Sequence, residues 1–254
     1  MADNITFNSF DLQDSNYLTR DIRHRKMANK TLVSRNTLRD GKREILDTWY
    51  TEKEIEVSGW IIGSSSSDLR TKIDNLKENL RTEEGNLDID YGGNTLRYKA
   101  TVRSLDIPEE HYHITQVPFT IVFSAEPWGK ATSTSSETWS SISSSTYTNS
   151  INITGSHSPF PLIQITANKL MSTTVKVENE TTGDWIQTSS TQSISTNSVI
   201  EIDIENQTFQ LDSVDIDFDG VFPSFEPNTN SIKVTLSAAS PDYDFYIEYY
   251  PTYL

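Results

Sequence analysis

The chain divides into two unlike halves, and a stretch rich in serine and threonine joins them. In the 254-residue sequence, residues 131–148 hold 13 Ser and Thr among 18 positions. The first half mixes one helical pattern with strand patterns, whereas the second half has strand patterns throughout. A chain of this length exceeds the usual size of one domain, so the sequence predicts two domains, each large enough to bury its own core.

The predicted fold class is mainly β, in three parts. Residues 1–130 form an N-terminal β-barrel-like domain with one α-helix at 68–84 and a β-hairpin. Residues 131–148 form a Ser/Thr-rich connection, and residues 149–254 form a C-terminal antiparallel β-sandwich. The connection is either a flexible linker or polar edge-strand material. A few large apolar residues are spaced along it, which argues against a fully disordered linker.

The helix prediction rests on four apolar residues that recur at helical spacing: Leu69, Ile73, Leu76 and Leu80. They share one face, which we expect to pack on a sheet. Ser65 and its serine neighbours offer an N-cap, Asp68 suits the positive end of the helix, and Gly85 is a natural stop.

Alternating apolar residues predict the strands of the first half. The predicted spans are 5–12, 30–39, 52–62, 86–91, 95–102 and 112–123. Gly92-Gly93 suits a tight hairpin turn, Gly59 suits a bulge where the alternation slips, and Pro118 suits an edge position or a bulge. After residue 159, short strand patterns separated by Gly, Pro, Asn and Asp indicate an antiparallel sandwich.

Charge is spread unevenly along the chain. Residues 1–128 carry 17 Lys and Arg against 21 Asp and Glu, and residues 129–254 carry 4 against 15. The second half should therefore repel nucleic acid and anionic membranes. Residues 20–43 are the exception, with nine Lys and Arg against two Asp. This basic stretch is either a solvated face or an arm that meets an acidic surface on a partner subunit.

One local pattern resembles a calcium-binding loop. Asp215, Asp217, Asp219, Gly220 and Glu226 fit the spacing D-x-D-x-D-G-x5-E. Alternate oxygens at this spacing can converge on one ion. No helical pattern flanks the segment, however, so the favoured interpretation is a strand with Ile216 and Phe218 inward and the three aspartates outward.

Other chemistry is weakly represented. His111 and His113 share one strand face at a spacing that can bind zinc, but no third ligand is identifiable. His157 lies in a predicted turn, and the sequence has no phosphate-binding loop and no cysteine. The sequence also lacks a secretion-signal pattern and any apolar run long enough to span a membrane. We therefore expect no enzymatic activity and no catalytic, cofactor-binding or metal site.

A series of weak motifs, taken in order, carries a family resemblance. In the first half they lie at residues 7–10, 55–62, 68–80, 84–87, 91, 97–98, 117–123 and 126–127. In the second half they lie at 161–165, 179–183, 202–203, 220–223, 227–232 and 247–250. In this order the chain resembles the distal tail proteins of siphovirus-type phages, which are hub proteins of the tail tip. Asn228 departs from the family, whose members often have Gly there; Asn also tolerates a left-handed backbone.

The resemblance implies a structural phage tail protein of the virion, made in the cytoplasm of the bacterial host. Its first domain would close into a hub ring, typically a homo-hexamer, at the distal end of the tail tube around the DNA channel. Its second domain would be a galectin-like sandwich. The implied partners are further copies of itself, the tail tube protein, tail-tip proteins and, in some phages, receptor-binding proteins, without specific nucleic-acid or membrane binding. The alternative hypothesis is a carbohydrate-binding β-sandwich module, for which Trp185 is the candidate platform.

Overall fold

The predicted fold class is confirmed: the chain is mainly β, with antiparallel sheets and one helix. The structure, a computed structural model, describes residues 4–36, 43–109 and 115–254. It divides into two compact units, Met1–Thr132 (unit 1) and Ser133–Tyr253 (unit 2). Within the described ranges, no helix is long and apolar enough to cross a membrane.

Unit 1 contains ten strands and the helix among its described residues. The strands are β1 (Ile5–Phe7), β2 (Phe10–Asp11), β3 (Tyr17–Arg23), β4 (Lys30–Asn36), β5 (Arg43–Tyr50), β6 (Lys53–Ile62), β7 (Gly85–Tyr91), β8 (Asn94–Asp106), β9 (Gln116–Ala125) and β10 (Gly129–Ala131). Seven of them form an antiparallel sheet in the order β2–β1–β7–β8–β9–β6–β3, and β10 lies beside the first half of β8. An isolated bridge between Gln13 and Leu18 joins the two ends of this order, so the sheet curls onto itself.

The core of unit 1 lies on one face of this sheet. Side chains alternate between buried and accessible along β6 and β9, as the period of two in a strand requires. The buried set includes Ile55 and Val57 of β6 and Phe119 and Phe123 of β9. Phe7 of β1 packs on Phe123 with ring centroids 5.2 Å apart, so the core extends to the far strands of the sheet.

The helix α1 (Ser66–Asn79) is shorter than the span 68–84 that the sequence predicts. Ser65 is the N-cap, and its hydroxyl accepts the backbone N–H of Asp68 at 3.2 Å. The Asp68 carboxylate in turn accepts the Ser64 backbone N–H at 2.7 Å. This hydrogen bond, with the nearby Lys72 ammonium, lowers the pKa of Asp68 to about 2. The start of the helix is therefore fixed by reciprocal capping.

The helix ends before Gly85. Leu80 is the C-cap, and Gly85 is instead the first residue of β7. The Asn8 side chain lies so close to Gly85 that an added Cβ would fall 2.3 Å from its amide nitrogen. Gly85 therefore leaves room for the side chain of Asn8, which lies in the turn between β1 and β2, and does not serve as a helix stop. The apolar face packs as predicted, with Leu69, Leu76 and Leu80 buried.

The predicted slip at Gly59 is wrong. Strand β6 keeps its alternation through Gly59, and Trp60 lies on the face opposite Ile55 and Val57. The register shift occurs instead in the neighbouring strand β3, between Thr19 and Asp21. Gly59 is required for another reason: a Cβ there would lie 2.4 Å from the Leu18 carbonyl oxygen.

Three strands of unit 1, β3, β5 and the three-residue β10, lie outside the predicted spans, and one predicted strand was misplaced. Strands β3 and β5 carry several charged residues, which obscure the apolar alternation. The predicted strand 112–123 becomes β9, Gln116–Ala125, and residues 110–114 lie outside the described ranges. Pro118 of β9 lies beyond Thr120, the last residue that pairs with β8, so one side of the strand is open at the proline.

Unit 2 is a sandwich of two antiparallel sheets. Its strands are β11 (Ser135–Ile142), β12 (Thr146–Ile153), β13 (Leu162–Ala167), β14 (Met171–Thr173), β15 (Val175–Asn179), β16 (Asp184–Thr188), β17 (Gln192–Ile194), β18 (Val199–Asp203), β19 (Thr208–Leu211), β20 (Val214–Asp215), β21 (Phe218–Gly220), β22 (Asn228–Leu236), β23 (Tyr243–Tyr249) and β24 (Thr252–Tyr253). The sheet orders are β11–β23–β13–β18–β19–β20 and β12–β22–β15–β16–β21, with β14–β17 as a separate pair. One cluster of buried aliphatic and aromatic side chains fills the space between the two sheets.

The Ser/Thr-rich stretch 131–148 lies mostly in strands of unit 2. Strand β11 pairs with β23, and β12 pairs with β22, so each forms an edge of its sheet. Trp139 stacks on Phe245 at a centroid distance of 5.3 Å, and Ile142 is buried in the core. Small hydroxyl side chains suit edge strands, because one side of each strand meets water.

Candidate functional site

Strands β4 and β5 form a hairpin that is separate from the main sheet of unit 1. They pair only with each other, from Lys30 opposite Tyr50 to Asn36 opposite Arg43. The base is closed by Thr51, whose N–H and hydroxyl both donate to the Asn29 carbonyl, at 2.8 and 3.1 Å. This hairpin gains little support from sheet neighbours, so its side chains are available for contact with another surface.

Large apolar side chains are exposed at the base of the hairpin. Met27 is 54% exposed, Leu32 is 40% exposed and Trp49 is 47% exposed. Lys30 lies over the Tyr50 ring, with its ammonium 5.5 Å from the centroid. Single exposed apolar residues are ordinary, but three within one small element favour an interaction surface.

A groove runs beside the hairpin base. One part has a volume of about 640 Å³ and a second has about 790 Å³, and they share Tyr50, Thr51, Glu52, Arg103 and Ser124. Aromatic residues, Trp49 at one end and Trp128 at the other, line the two parts. Aromatic and charged side chains therefore line the groove together.

Both signs of charge line the floor of this groove. Arg103 donates to Glu54 at 3.4 Å, and the Ser124 hydroxyl donates to Glu52. The Arg103 and Glu54 side chains are mostly exposed, so this pair contributes little stability to the unit alone. Because the ion pairs in this groove are exposed, the same charged side chains can form ion pairs with an incoming chain instead.

The predicted basic stretch 20–43 is distributed over several elements. Arg23 pairs with Asp21 at 3.0 Å and with Glu56 at 3.1 Å. Arg20 lies over Trp60, 5.8 Å from the ring centroid. Residues 37–42, including two of the basic residues, lie outside the described ranges. Part of the basic stretch is therefore neutralised within unit 1, and Lys30, Arg35 and Arg43 lie in the strands of the hairpin.

A lysine is buried at the end of the unit 1 core. Lys53 follows the inward alternation of Ile55 and Val57, and its ammonium lies 3.5 Å from the Tyr98 hydroxyl and 5.0 Å from the ring centroid. Burial lowers the pKa of Lys53 and raises that of Tyr98 to about 12. An added Cβ at Gly129 would lie 2.6 Å from the Tyr98 ring, so β10 closes tightly over this pair. Sequence reading did not single out Lys53, although its place in the alternation was a signal.

Buried amides connect the loops at one end of unit 2. Asn179 donates to the Ser224 carbonyl at 2.7 Å and to the Asn230 side-chain oxygen at 3.0 Å. Asn230 donates to the Glu226 carbonyl at 2.7 Å. Asn179 and Asn230 belong to two separate motifs of the family resemblance, 179–183 and 227–232, and the fold brings them together. Asn228 in the same loop adopts φ of 80°, the left-handed conformation that asparagine tolerates.

The fold separates the residues of the calcium-loop pattern, since Asp215 lies in β20 and Asp219 in β21. Among the residues that the structure describes, no three His, Asp or Glu side chains come together as metal ligands. Asp215 ends β20 and accepts the Gln210 amide at 2.8 Å, while Asp217 and Asp219 are exposed. Phe218 was expected to point inward, and its ring does contact Phe209 and Phe222, although 39% of the residue is exposed.

The histidine candidates give no assembled site either. His111 and His113 lie outside the described residues, so the zinc hypothesis has no geometry to test it. His157 donates its backbone N–H to the Thr252 carbonyl at 3.0 Å, and burial lowers the pKa of its imidazole. His24 is buried in unit 1.

Trp185, the candidate sugar platform, is 36% exposed. The Lys176 ammonium lies 5.0 Å from its ring centroid and also pairs with Glu178 at 2.8 Å. On the other side, Gly220 lies so close that an added Cβ would be 2.9 Å from the ring. The ring is therefore partly occupied by the protein itself, which leaves little of it free for stacking on a sugar.

Comparison with solved structures identifies the fold. The chain is similar to the Dit protein of SPP1, whose structure is described as a paradigm of the hub adsorption apparatus in phages that infect Gram-positive bacteria. The TM-score is 0.76 at 14% identity, over 100% of both chains. The chain therefore has the fold of SPP1 Dit over its whole length.

Weaker likenesses involve the baseplate of phage P2 in its activated conformation. With Ca, the TM-score is 0.44 at 12% identity over 97% of this chain and 98% of the other. With Sr, it is 0.40 at 11% identity over 96% and 97%. These two likenesses carry no weight at such scores. No protein-family model matches the chain, and no curated protein matches its sequence.

Proposed function

We propose that this protein is a distal tail protein, a structural hub in the virion of a siphovirus-type phage. It would form a ring of six copies at the distal end of the tail tube and join the tube to tail-tip and receptor-binding proteins around the DNA channel. The single observation that supports this most is the fold likeness to the SPP1 Dit hub protein over the whole of both chains. The role requires no catalysis and no cofactor.

Ring closure requires two different surfaces on each subunit, because a rotational ring is built from head-to-tail contacts. We assign one surface to the hairpin base, with Met27, Leu32 and Trp49 exposed. We assign the other to the part of the groove between Glu84 and Trp128, which Met27, Leu32 and Trp49 do not line. This part of the groove carries Glu84 and Glu126 beside Trp128, which complements a hairpin base that has exposed apolar side chains and lies partly within the basic stretch.

The acidic balance of the chain suits a channel for DNA. Residues 1–128, which would form the ring, carry 21 Asp and Glu against 17 Lys and Arg, and the whole chain carries 36 against 21. Phosphate groups that pass such a surface are repelled, so DNA is not held by the ring during ejection. The same balance argues against specific nucleic-acid binding and against binding to anionic membranes.

Charge introduced at the hairpin base is expected to prevent ring assembly. In the double variant Leu32→Asp, Trp49→Asp, two exposed apolar side chains that would be buried between subunits become charged. Losing about 3 kcal/mol per interface would weaken each contact about 100-fold. Light scattering over a concentration series measures the change, because the variant should dissociate at concentrations where the unmodified protein is assembled.

Leu170→Asp is the matched control. Leu170 is 68% exposed and lies in unit 2, outside the proposed ring surfaces. It should leave the assembled mass unchanged. Assembly of the double variant at the same concentration as the unmodified protein would contradict the assignment of the hairpin base to the ring interface.

A further inference from the structure

Strand β21 is an open edge of the five-stranded sheet in unit 2. It pairs with β16 on one side and ends the strand order on the other. Val221 donates its N–H to the Trp185 carbonyl at 2.8 Å, and the Asp217 carbonyl accepts the Ser189 N–H at 3.0 Å. Backbone groups alternate in direction along a strand, so the N–H and C=O of Phe218 and Gly220 face away from the sheet.

Apolar side chains flank this open edge. Val221 is 56% exposed, and it lies beside Trp185, which is 36% exposed. Phe218 contributes a further exposed aromatic surface. An incoming strand would therefore find backbone partners together with apolar contacts for alternate side chains.

The edge is also acidic. Asp215, Asp217 and Asp219 are exposed, and none of them takes part in an ion pair with a described Lys or Arg. The same edge of a second copy would place aspartates opposite aspartates, which is unfavourable across paired strands. A partner strand must therefore bring positive charge to this edge.

The other edges of the sandwich are protected against strand addition. Strand β11 has a register shift near Ser141, where φ is 57°, and β20 has only two residues. In β12, outward backbone groups at Thr146, Ser150 and Asn152 already bond to side chains of the chain itself. Bulges, short strands and local capping all discourage pairing. The β21 edge is three residues long and has Gly220 at φ 98°, but its pairing with β16 has no register shift. Its acidic charge discourages partners that are not basic.

We propose that residues 217–221 bind an extended segment of a partner protein in which Lys or Arg alternates with apolar residues. The segment adds a strand beside β21, bonds to the backbone of Phe218 and Gly220, and places its cations near Asp217 and Asp219. This surface belongs to unit 2 and does not depend on ring formation by unit 1, so it goes beyond the proposed hub role.

Three labelled eight-residue peptides test the proposal on the full chain by fluorescence anisotropy. The first alternates Lys and Val, the second alternates Glu and Val, and the third is the Lys–Val peptide with alternate backbone nitrogens methylated. The Lys–Val peptide should bind, the Glu–Val peptide should not, and methylation should weaken binding at least tenfold because it removes backbone donors while keeping the charge. Absence of Lys–Val binding up to millimolar peptide would overturn the proposal.

Matched charge reversals separate this edge from the general negative charge of the protein. Asp219→Lys should weaken Lys–Val binding at least tenfold, whereas Glu137→Lys, at an exposed position on β11, should change it less than twofold. Equal losses in the two variants, or equal binding of the methylated peptide, would show non-specific attraction and refute the site.

Amide hydrogen exchange provides a second readout on the unmodified chain. Bound Lys–Val peptide should slow the exchange of the Phe218 and Gly220 N–H groups, which face the open edge. Exchange at those two positions that stays unchanged while the peptide is bound would refute strand addition.

Discussion

Asn179→Leu is expected to lower the free energy of unfolding of unit 2 by about 3 kcal/mol, because it leaves several buried polar groups without partners. The Asn179 side chain is fully buried. It donates to Ser224 and Asn230, and its oxygen accepts the Thr181 N–H at 3.1 Å. Leucine has nearly the same size, so the loss comes from hydrogen bonding rather than from volume.

Urea denaturation followed by circular dichroism measures this loss, and Asn152→Leu is its control. Asn152 is exposed on β12, so its replacement should change the free energy of unfolding by less than about 0.5 kcal/mol. Equal stability of Asn179→Leu and the control would mean that the buried amides do not hold the loops of unit 2.

Gly59→Ala is expected to destabilise unit 1 by about 3 kcal/mol, through crowding rather than through a lost contact. The new methyl group would lie 2.4 Å from the Leu18 carbonyl oxygen and 2.9 Å from the Phe119 ring. Strands on both sides of β6 hold Gly59 in place, so the sheet would have to separate locally to admit it.

The midpoint of urea unfolding of unit 1 measures the effect of Gly59→Ala. Ser58→Ala is the control at the neighbouring position, where the side chain faces the opposite side of the sheet. It should leave the midpoint nearly unchanged. A Gly59→Ala protein as stable as the control would show that β6 and its neighbours lie further apart than described.

The two substitutions together also probe domain organisation. We propose that the units unfold as separate transitions, since each packs its own set of buried residues. Asn179→Leu should then move only the transition of unit 2, and Gly59→Ala only that of unit 1. A single transition that both substitutions shift equally would argue for one cooperative domain.

Local patterns were enough to predict much of the fold. Helix α1 was predicted from the helical spacing of Leu69, Leu76 and Leu80. The β7–β8 hairpin was predicted from Gly92-Gly93, which lies between two segments in which apolar and polar residues alternate. Where charge interrupted the alternation, as in β3 and β5, prediction failed. The helix end was misjudged because Gly85 is required by the side chain of Asn8, a turn residue distant in sequence, and no local pattern contains that reason.

The candidate surfaces could not be predicted in the same way, because they depend on contacts between distant parts of the chain. Asn179 and Asn230 are 51 residues apart, and their bond appears only when the loops fold together. The groove joins residues of the hairpin base to Arg103 and Trp128. The calcium-loop spacing, by contrast, was visible in the sequence, but the fold places Asp215 and Asp219 in different sheets.

The mass of the purified protein in solution tests the hub proposal most directly. Light scattering, with negative-stain images of the same fraction, should give one species of six 28.8 kDa chains, about 170 kDa, and ring-shaped particles with a central opening. The mass of a single chain at every concentration, with no rings in the images, would contradict the proposal that this protein forms a tail hub by itself.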